Sequence, residues 1–591
     1  MCGIVGFVGN EQVAPVMLEC LKTLQYRGYD SAGIATVDNG LIWCRKGVGA
    51  VEAVNREHHL DELTGSLGIG HVRWATHGGV CDSNAHPHLD CKSEIALVHN
   101  GIINNYQSLR HMLEGGQHRF TSETDTEVVC HLVEDYLAEG ASLHEALQGA
   151  VAQLEGSYAI VAISSREPDK IVAAKKESPL VVGIGVQGYF VASDIVSLLG
   201  RAESTISLDD GEVAVVSRSG ITILDSEGQE IQKQPQQVEC EWLMPSKNGE
   251  DYFMLKEIFE EPESIEAALL QDEGLLLELA LEILRGKQVV IIACGTSRHA
   301  GLIGRYLFSN LAGKFCEVVM GSEFEYFANS VDKNTVVIAL SQSGETADVV
   351  AGVKMAKSHG AKIISMVNVP GSTLTRMSDR VIYLNCGPEI CVAATKSFVA
   401  QLVLFYLLTF AMLNQLEEGK QQLRKIAIQL RENLDTNGEK VRNLGREIRD
   451  KPDFYFLARG INFAIALEAA LKLKEISYIH AEGMPAGELK HGTLALMEKG
   501  TPVLAICPED NTYYDTLSNA METKARGAFI IGLSDKDNEI FDVWIKLPNV
   551  KEIFYPLVSV VPLQLLAYYA ALARGKDPDR PRNLAKSVTV R

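Results

Sequence analysis

The sequence predicts a multidomain chain: an α+β layered sandwich at the N-terminal end, followed by two α/β doubly wound units with parallel sheets. Three observations predict it. Residues 1–235 carry many short β-branched runs with few helical patterns between them. After a stretch of linker composition the rhythm changes to strand, Gly/Ser loop, helix. That second rhythm then repeats weakly about 165 residues later, which marks an internal duplication.

In the first part, strands are predicted at 2–8, 33–37, 41–45, 67–74, 95–99, 158–163, 180–185 and 212–216. Asp38-Asn39-Gly40 between two of them is a tight-turn signal, so the sheets are expected to be largely antiparallel. Helical patterns fall at 13–24 and 123–137, the second with Ser122 as N-cap and Asp125 in its first turn. Residues 236–252 contain Gln, Pro, Lys, Asn and Gly runs and read as a linker.

Residues 253–435 place strands at 289–293, 336–340, 363–367 and 381–384, then a long helix from Thr395. Residues 436–580 echo them at 454–458, 502–506, 529–533 and 543–547, and 581–591 read as a tail. Between the first two strands of the echo, 463–480 reads as a helix.

Composition excludes several classes. At 591 residues the chain exceeds a single core, and three or four units are expected. A net charge of −21 argues against a nucleic-acid or membrane-surface binder, because both need a basic footprint. The twelve cysteines form no CxxC pair or finger spacing, so a disulfide framework or zinc ribbon is not expected and a reducing, cytoplasmic setting is. No basic region precedes the N-terminal apolar residues, so they do not read as a signal peptide. The apolar stretches 398–413 and 557–573 fall short of the roughly 20 residues of a membrane span and read as core helices.

Chemistry gathers at the N-terminal end. If Met1 is removed, Cys2 carries a thiol nucleophile and a free α-amine on one Cα. An α-amine with a pKa of about 7.7–8.0 can act as base for that thiol. The alternative is that Cys2 is a small apolar residue opening a strand. Attack on an amide also needs a clamp for the substrate and donors for the oxyanion. Arg73, in His71-Val72-Arg73-Trp74-Ala75-Thr76-His77-Gly78, can grip a carboxylate bidentately. Asn100-Gly101, expected at a strand end, offers an amide and an N–H, and Asp125 offers an anion for an α-ammonium group. His71, His77, His86, His88 and His99 match no metal-ligand spacing, so no metal site is expected.

These motifs, with Tyr26-Arg27-Gly28-Tyr29-Asp30-Ser31, Asn84-Ala85-His86-Pro87-His88 and Ser122-Glu123-Thr124-Asp125, resemble the class II glutamine amidotransferases, a family of N-terminal-nucleophile glutaminases. The resemblance covers the whole first domain. It implies that Cys2 is the mature N-terminus and nucleophile, and that Asn100 and Gly101 form the oxyanion hole. It also implies that Arg73, Trp74, Thr76, His77 and Asp125 hold L-glutamine.

In the second part, Cys294-Gly295-Thr296-Ser297 and Ser341-Gln342-Ser343-Gly344-Glu345-Thr346 each follow a strand and open a helix, the geometry of a phosphate cradle. Neither contains GxGxxG or a Walker lysine, so a small phosphorylated ligand suits them better than a nucleotide. Glu468, Lys472 and Glu475 share one face of a helix that otherwise reads as buried. Two readings stay open: a solvated Glu-Lys pair, or an enclosed carboxylate of raised pKa that shuttles a proton between sugar carbons.

The two loops, Val392-Ala393-Ala394-Thr395-Lys396, the Glu468–Glu475 stripe and Ala486-Gly487-Glu488-Leu489-Lys490-His491-Gly492 resemble sugar isomerase (SIS) domains. Joined to the glutaminase domain and to the tail Arg582-Asn583-Leu584-Ala585-Lys586-Ser587, they make the whole chain similar to isomerizing sugar-phosphate amidotransferases. That likeness implies fructose 6-phosphate as the second substrate and glucosamine 6-phosphate as the product, with no cofactor. Thr296, Ser297, Ser341, Gln342, Ser343, Thr346, Val392 and Ala585 would bind the sugar phosphate. Lys586 would form a Schiff base, Glu475 would move the proton with Lys472 beside it, and His491 would open the sugar ring from a neighbouring subunit. This implies at least a homodimer, and an internal ammonia passage gated by Trp74 and the tail.

The sequence departs from what is expected of common bacterial members at 79–82 and at Gly483-Met484-Pro485 and Thr493, where specificity and loop motion are in question. A deglycase acting on another amino or glycated sugar phosphate is opposed by the intact glutaminase motifs. A sugar-phosphate-sensing regulator is opposed by the joint presence of Glu475, His491 and Lys586.

Overall fold

The computed structural model describes residues 2–238, 247–434 and 436–589. It divides into two compact units, Met1–Met244 with Ser587–Arg591, and Pro245–Lys586. Met1, part of the expected linker and the last two residues of the tail lie outside the described residues.

Unit 1 is a four-layer sandwich, helices on two stacked antiparallel sheets. β1 (Gly3–Gly9) is central in an eight-stranded sheet, between the strand Gly188–Ala192 and β2 (Leu67–Arg73). β3 (Ile95–Ile103) and β4 (Gly156–Ser164) pair in a seven-stranded sheet. The two-residue strand period sorts β1 between two cores. Ile4 and Val8 pack between the sheets with Ala96, Val98 and Val161. Val5 and Phe7 pack under the helix α1 (Val13–Leu24). The helix α2 (Glu127–Ala138) covers the outer face of the second sheet. Asn39 and Gly40 adopt positive φ, 51° and 74°, in the tight turn expected between the paired strands there.

Two details differ from the sequence reading. Asn100 and Gly101 do not end a strand but lie inside β3, opposite Ala159 and Tyr158. The helix expected from Glu123 starts at Glu127, so Asp125 precedes it. The reason is local: the Glu127 carboxylate accepts the N–H groups of Thr121 and Ser122, both at 2.7 Å, and folds 121–126 back as a turn.

Unit 2 contains two five-stranded sheets, parallel throughout. In the first, β5 (Gln288–Ala293) and β6 (Thr335–Ser341) are neighbours, with the strand Glu317–Met320 outside β5. In the second, β7 (Asp453–Ala458) lies between β8 (His480–Pro485) and the strand Pro502–Ile506. Both sheets thus share one strand order, reversing direction of progress after the first strand. Ligands of open α/β sheets bind at that reversal. The helices α3 (Gly295–Asn310) and α4 (Ala347–Ser358) start at the ends of β5 and β6, and α5 (Lys396–Met412) packs against α3. In the repeat come α6 (Phe463–Ser477) and α7 (Tyr555–Ala573).

The segment read as one helix to His480 splits into α6 and β8, because Tyr478 adopts a left-handed φ of 62° and caps α6. The length argument against a membrane span at 557–573 is also overturned. The helical stretch Glu552–Ala573 has 22 residues and is long and apolar enough to cross, yet 83% of its apolar window is buried inside unit 2. Burial, not length, makes it a core helix.

Gly304 lets α3 approach α5: a Cβ there would lie 2.4 Å from a ring carbon of Phe405. Gly304→Ala is expected to destabilise unit 2 by about 1–3 kcal/mol, read as a lower urea midpoint. Gly438→Ala, with open space around it, serves as the control and should leave the midpoint unchanged or slightly raised.

Candidate active sites

In unit 1, pairing of β1 with β2 sets Gly3 opposite Val72 and so delivers Cys2 to the end of β2. The Cys2 thiol donates to the Trp74 carbonyl at 3.4 Å and its sulfur accepts the Trp74 N–H at 3.3 Å. Asn100 Nδ2 donates to the Cys2 carbonyl at 3.0 Å. The orientation of that amide is set from behind. Burial pushes the His71 ring down to about 3, so it is neutral, and its Nε2 donates to Asn100 Oδ1 and to the His99 carbonyl, both at 3.1 Å. With Oδ1 engaged, the Asn100 NH2 group faces the cysteine. Next to it Gly101 has φ 136°, and a Cβ there would fall 2.0 Å from the Ser157 carbonyl oxygen. Only glycine fits that strand position. Burial also pushes the Cys2 thiol up, against the pull of the Trp74 N–H, so forming its thiolate requires a base.

The proposed glutamine clamp occupies the turn after β2 and the approach to α2. Arg73 is buried and donates to the carbonyls of His77 at 2.6 Å, Gly79 at 3.1 Å and Gly78 at 3.2 Å. These partners are neutral, so the guanidinium charge remains available to a carboxylate. Asp125 is buried, accepts the Ile103 N–H at 2.8 Å and lies 4.0 Å from His77 Nδ1. Trp74 is half-buried and stands edge-on to Tyr29, while Thr76 is exposed. The Asp30 carboxylate holds the turn by accepting the Ala75 N–H at 2.9 Å. Of the five histidines weighed as metal ligands, His71 stacks on His86 and His86 meets His88 edge-on. Burial pushes all three down, and His99 with them.

In unit 2 the two loops at the strand reversal are preformed. Thr346 caps α4 and its hydroxyl pairs with that of Ser341 at 2.8 Å, while Ser341 Oγ accepts the Gly344 N–H at 3.1 Å. Ser343 Oγ accepts the Glu345 N–H at 3.2 Å, and the Gln342 carbonyl accepts the Asn368 N–H at 2.9 Å. At the start of α3, Ser297 Oγ accepts from Gln401 at 2.9 Å and Thr296 Oγ1 donates to Glu468 at 3.0 Å. The matching loops of the second sheet carry Arg459-Gly460 and Cys507-Pro508-Glu509-Asp510. Carboxylates in place of serines repel a phosphate, so only the first sheet offers a cradle.

The stripe on α6 reaches across to α3. Glu468 is fully buried, 2.7 Å from His299 Nδ1 and 3.6 Å from Lys472 Nζ, and Lys472 lies 2.6 Å from Glu475. Burial pulls Lys472 down, but Glu475 and Glu468 outweigh it and hold the ammonium protonated. Lys472 is 1% exposed and Glu475 20% exposed, so the carboxylate opens to solvent while its lysine does not. Lys586 is buried in an ion pair with Glu389. Glu389 also accepts the N–H groups of Thr395 and Ser397 at 3.0 Å. Cys391 lies within the field of both the Lys472 and Lys586 ammonium groups. Val392 follows it, half-buried, its N–H donated to the Asp579 carbonyl at 3.2 Å, and Ala585 is half-buried beside Lys586 in sequence. His491 is exposed and makes no hydrogen bond to Lys586, Glu475 or the serine loops among the described residues.

Sequence reasoning missed Glu389, Glu257, His299 and Gln401. Glu389 had a signal, a lone acid three residues before the Val392-Ala393-Ala394 run. The others are single polar residues within helices, and only the fold reveals what they face.

Comparison with known proteins gives a coherent picture. The glutamine amidotransferase domain family matches residues 71–200, and the SIS domain family matches 282–411 and 447–574. A glutamine–fructose-6-phosphate aminotransferase (isomerizing) of Thermococcus kodakarensis is 45% identical over 603 residues, covering 100% of both chains. That of Methanothermobacter thermautotrophicus is 46% identical over 597 residues, again covering 100% of both. A solved C-terminal domain of glucosamine-fructose-6-phosphate aminotransferase from Francisella tularensis is 34% identical with a TM-score of 0.54, covering 57% of this chain and 100% of that one.

Glu257 yields a pH prediction. Burial and then the Glu389 carboxylate push it up to about 8 from 4.5. An acid raised on folding makes the folded state bind the extra proton, so its cost is absent below about 4.5 and grows as pH rises toward about 8. Glu257→Gln keeps an acceptor for the Ile390 and Cys391 N–H groups that Glu257 accepts. Its thermal midpoint relative to wild type is expected to climb between about pH 5 and pH 8. A constant difference across that window refutes the assignment.

Proposed function

The chain belongs to the isomerizing glutamine–fructose-6-phosphate aminotransferases, and from that premise we propose how its residues divide the work. The reaction moves the amide nitrogen of glutamine to fructose 6-phosphate and isomerises the product to glucosamine 6-phosphate, releasing glutamate. The observation that carries the reading is a buried lysine, Lys586, held by a carboxylate in the unit that also holds the serine cradle.

In the glutaminase step Arg73 takes the α-carboxylate of glutamine and Asp125 its α-ammonium, with Trp74, Thr76 and His77 framing the turn. The Cys2 sulfur attacks the carboxamide carbon, and the proton it sheds passes through the Cys2 α-amine to the departing nitrogen. This assignment requires that Met1 be removed. Asn100 Nδ2 and the Gly101 N–H take the oxyanion. Ammonia leaves, and water cleaves the thioester to glutamate. The support is the pre-set orientation of the Asn100 amide toward Cys2.

In the sugar step Thr296, Ser297, Ser341, Gln342, Ser343 and Thr346 hold the phosphate at two helix N-termini, with Val392 and Ala585 lining the sugar. His491 opens the ring, and its exposure supports delivery from a second copy of the chain, hence a homodimer at least. The Lys586 amine, freed of its proton, adds to C2 and expels water. Ammonia then displaces the lysine, Glu475 takes a proton from C1, and C2 receives it. Lys472 positions the Glu475 carboxylate through their 2.6 Å ion pair. Cysteines among the described residues are all free, which supports a reducing, cytoplasmic setting.

The pure protein with glutamine and fructose 6-phosphate is expected to yield glutamate and glucosamine 6-phosphate in equal amounts. Cys2→Ala should lose glutamine hydrolysis by about three orders of magnitude or more yet still isomerise the sugar. Lys586→Ala should do the reverse. Glutamate without amino sugar from the wild type, or loss of both activities in either variant, refutes the division. Mass spectrometry of active protein should find Met1 absent.

A further inference from the structure

Away from the glutaminase site, four side chains of unit 1 converge: Cys91, His118, His131 and Glu134. Cys91 follows the short strand His88–Leu89, His118 lies in the loop before α2, and His131 and Glu134 sit one turn apart on α2. The Cys91 sulfur is 3.6 Å from His118 Nδ1 and 3.7 Å from His131 Nδ1. Glu134 Oε2 is 3.1 Å from His118 Nδ1 and 3.2 Å from His131 Nδ1. No two of the ligand atoms are more than 4.8 Å apart.

The two sulfur–nitrogen and two nitrogen–oxygen edges match those of a metal tetrahedron. Bonds of about 2.3 Å to sulfur and about 2.0–2.1 Å to nitrogen and oxygen, at tetrahedral angles, separate sulfur from nitrogen by about 3.6 Å and nitrogen from oxygen by about 3.3 Å. The surroundings agree. His118 Nε2 lies 2.9 Å from the Asp135 carboxylate and His131 Nε2 lies 3.8 Å from Glu127. Both rings turn Nδ1 toward the single oxygen Glu134 Oε2, which also accepts the Cys91 N–H at 3.2 Å. A carboxylate behind each metal-binding imidazole is also the usual outer shell of such sites.

We propose that Cys91, His118, His131 and Glu134 form a structural Zn2+ site. One thiolate, two imidazoles and one carboxylate with no open position suit a tetrahedral structural ion better than an octahedral hard cation. The ion fastens the 90–93 loop and the loop around His118 to α2. The same helix begins with Glu127, which folds the 121–126 turn carrying Asp125. The site therefore braces the approach to the glutamine clamp from behind without touching substrate.

The test uses the full-length protein, dialysed against buffered zinc and then metal-free buffer, with metal read by mass spectrometry. Wild type and Cys2→Ala are expected to retain one zinc per chain, while Cys91→Ser and His118→Asn, both changes near the surface, retain none. Asp135→Asn should bind about tenfold more weakly. Cobalt-loaded wild type should show a thiolate-to-cobalt charge-transfer band and intense tetrahedral d–d bands, a readout that needs no variant. Chelation should lower the thermal midpoint of wild type but not of Cys91→Ser. No stoichiometric metal in the wild type, zinc lost in Cys2→Ala, zinc retained in Cys91→Ser, or a cobalt spectrum without the thiolate band each overturns the proposal.

Discussion

An ammonium group taken out of water must meet a carboxylate or give up its proton, and the sugar half of the molecule is arranged around that constraint. Lys472 and Lys586 are both almost fully buried, and each is matched by acids that are themselves buried or nearly so. Removing one partner of such a pair leaves an uncompensated buried charge, which costs more than the pair itself contributes. The local backbone is committed accordingly. Glu389 gathers the N–H groups of Thr395 and Ser397 and the Ser397 hydroxyl at the start of α5. The ion pair with Lys586 therefore ties the end of unit 2 to the entry of its most buried helix.

Duplication supplies the scaffold, and divergence supplies the site. Both sheets of unit 2 have the same strand order and therefore the same reversal point, where helix N-termini point at any ligand. Only the first copy kept serines there. The second copy instead contributes α6, whose Glu468 crosses to Thr296 and His299 on α3. One copy presents the anion cradle and the other the charged stripe, so the constellation needs both. In keeping with this, one large apolar core contains α5, α6 and α7 and residues of both sheets, and each sheet carries a further smaller core of its own.

Much of this was legible in the sequence because it rests on short-range rules. Strand alternation, the Asn39-Gly40 turn and Gly/Ser loops between strand and helix are local signals, and the parallel and antiparallel sheets follow from them. What escaped is non-local or subtle. Glu127 outcompetes Ser122 as the organiser of its turn because its carboxylate can accept two N–H groups at once. Tyr478 ends α6 by a left-handed turn that the apolar pattern across 463–480 conceals. The partners Glu389, His299 and Gln401 are separated from Lys586, Glu468 and Ser297 by about a hundred positions or more, and nothing in spacing links them. The Cys91 cluster is the extreme case: its members come from three segments, so no motif contains it.

The glutaminase half uses the opposite electrostatic strategy. Where the sugar half pairs buried charges, the histidines behind Cys2 are kept neutral, and the side-chain charges whose fields reach the thiol include Arg73 and Asp125. Burial holds His71, His86, His88 and His99 uncharged, and burial opposes a resting thiolate at Cys2. The hydrogen bonds of the Arg73 guanidinium among the described residues go to backbone carbonyls. A chain of neutral donors, from His71 to Asn100 to the Cys2 carbonyl, orients one amide without introducing charge. Donors set in place before charge develops need no reorganisation when an oxyanion forms. The neutral His71 behind the strand thus sets the amide that faces Cys2 in front of it.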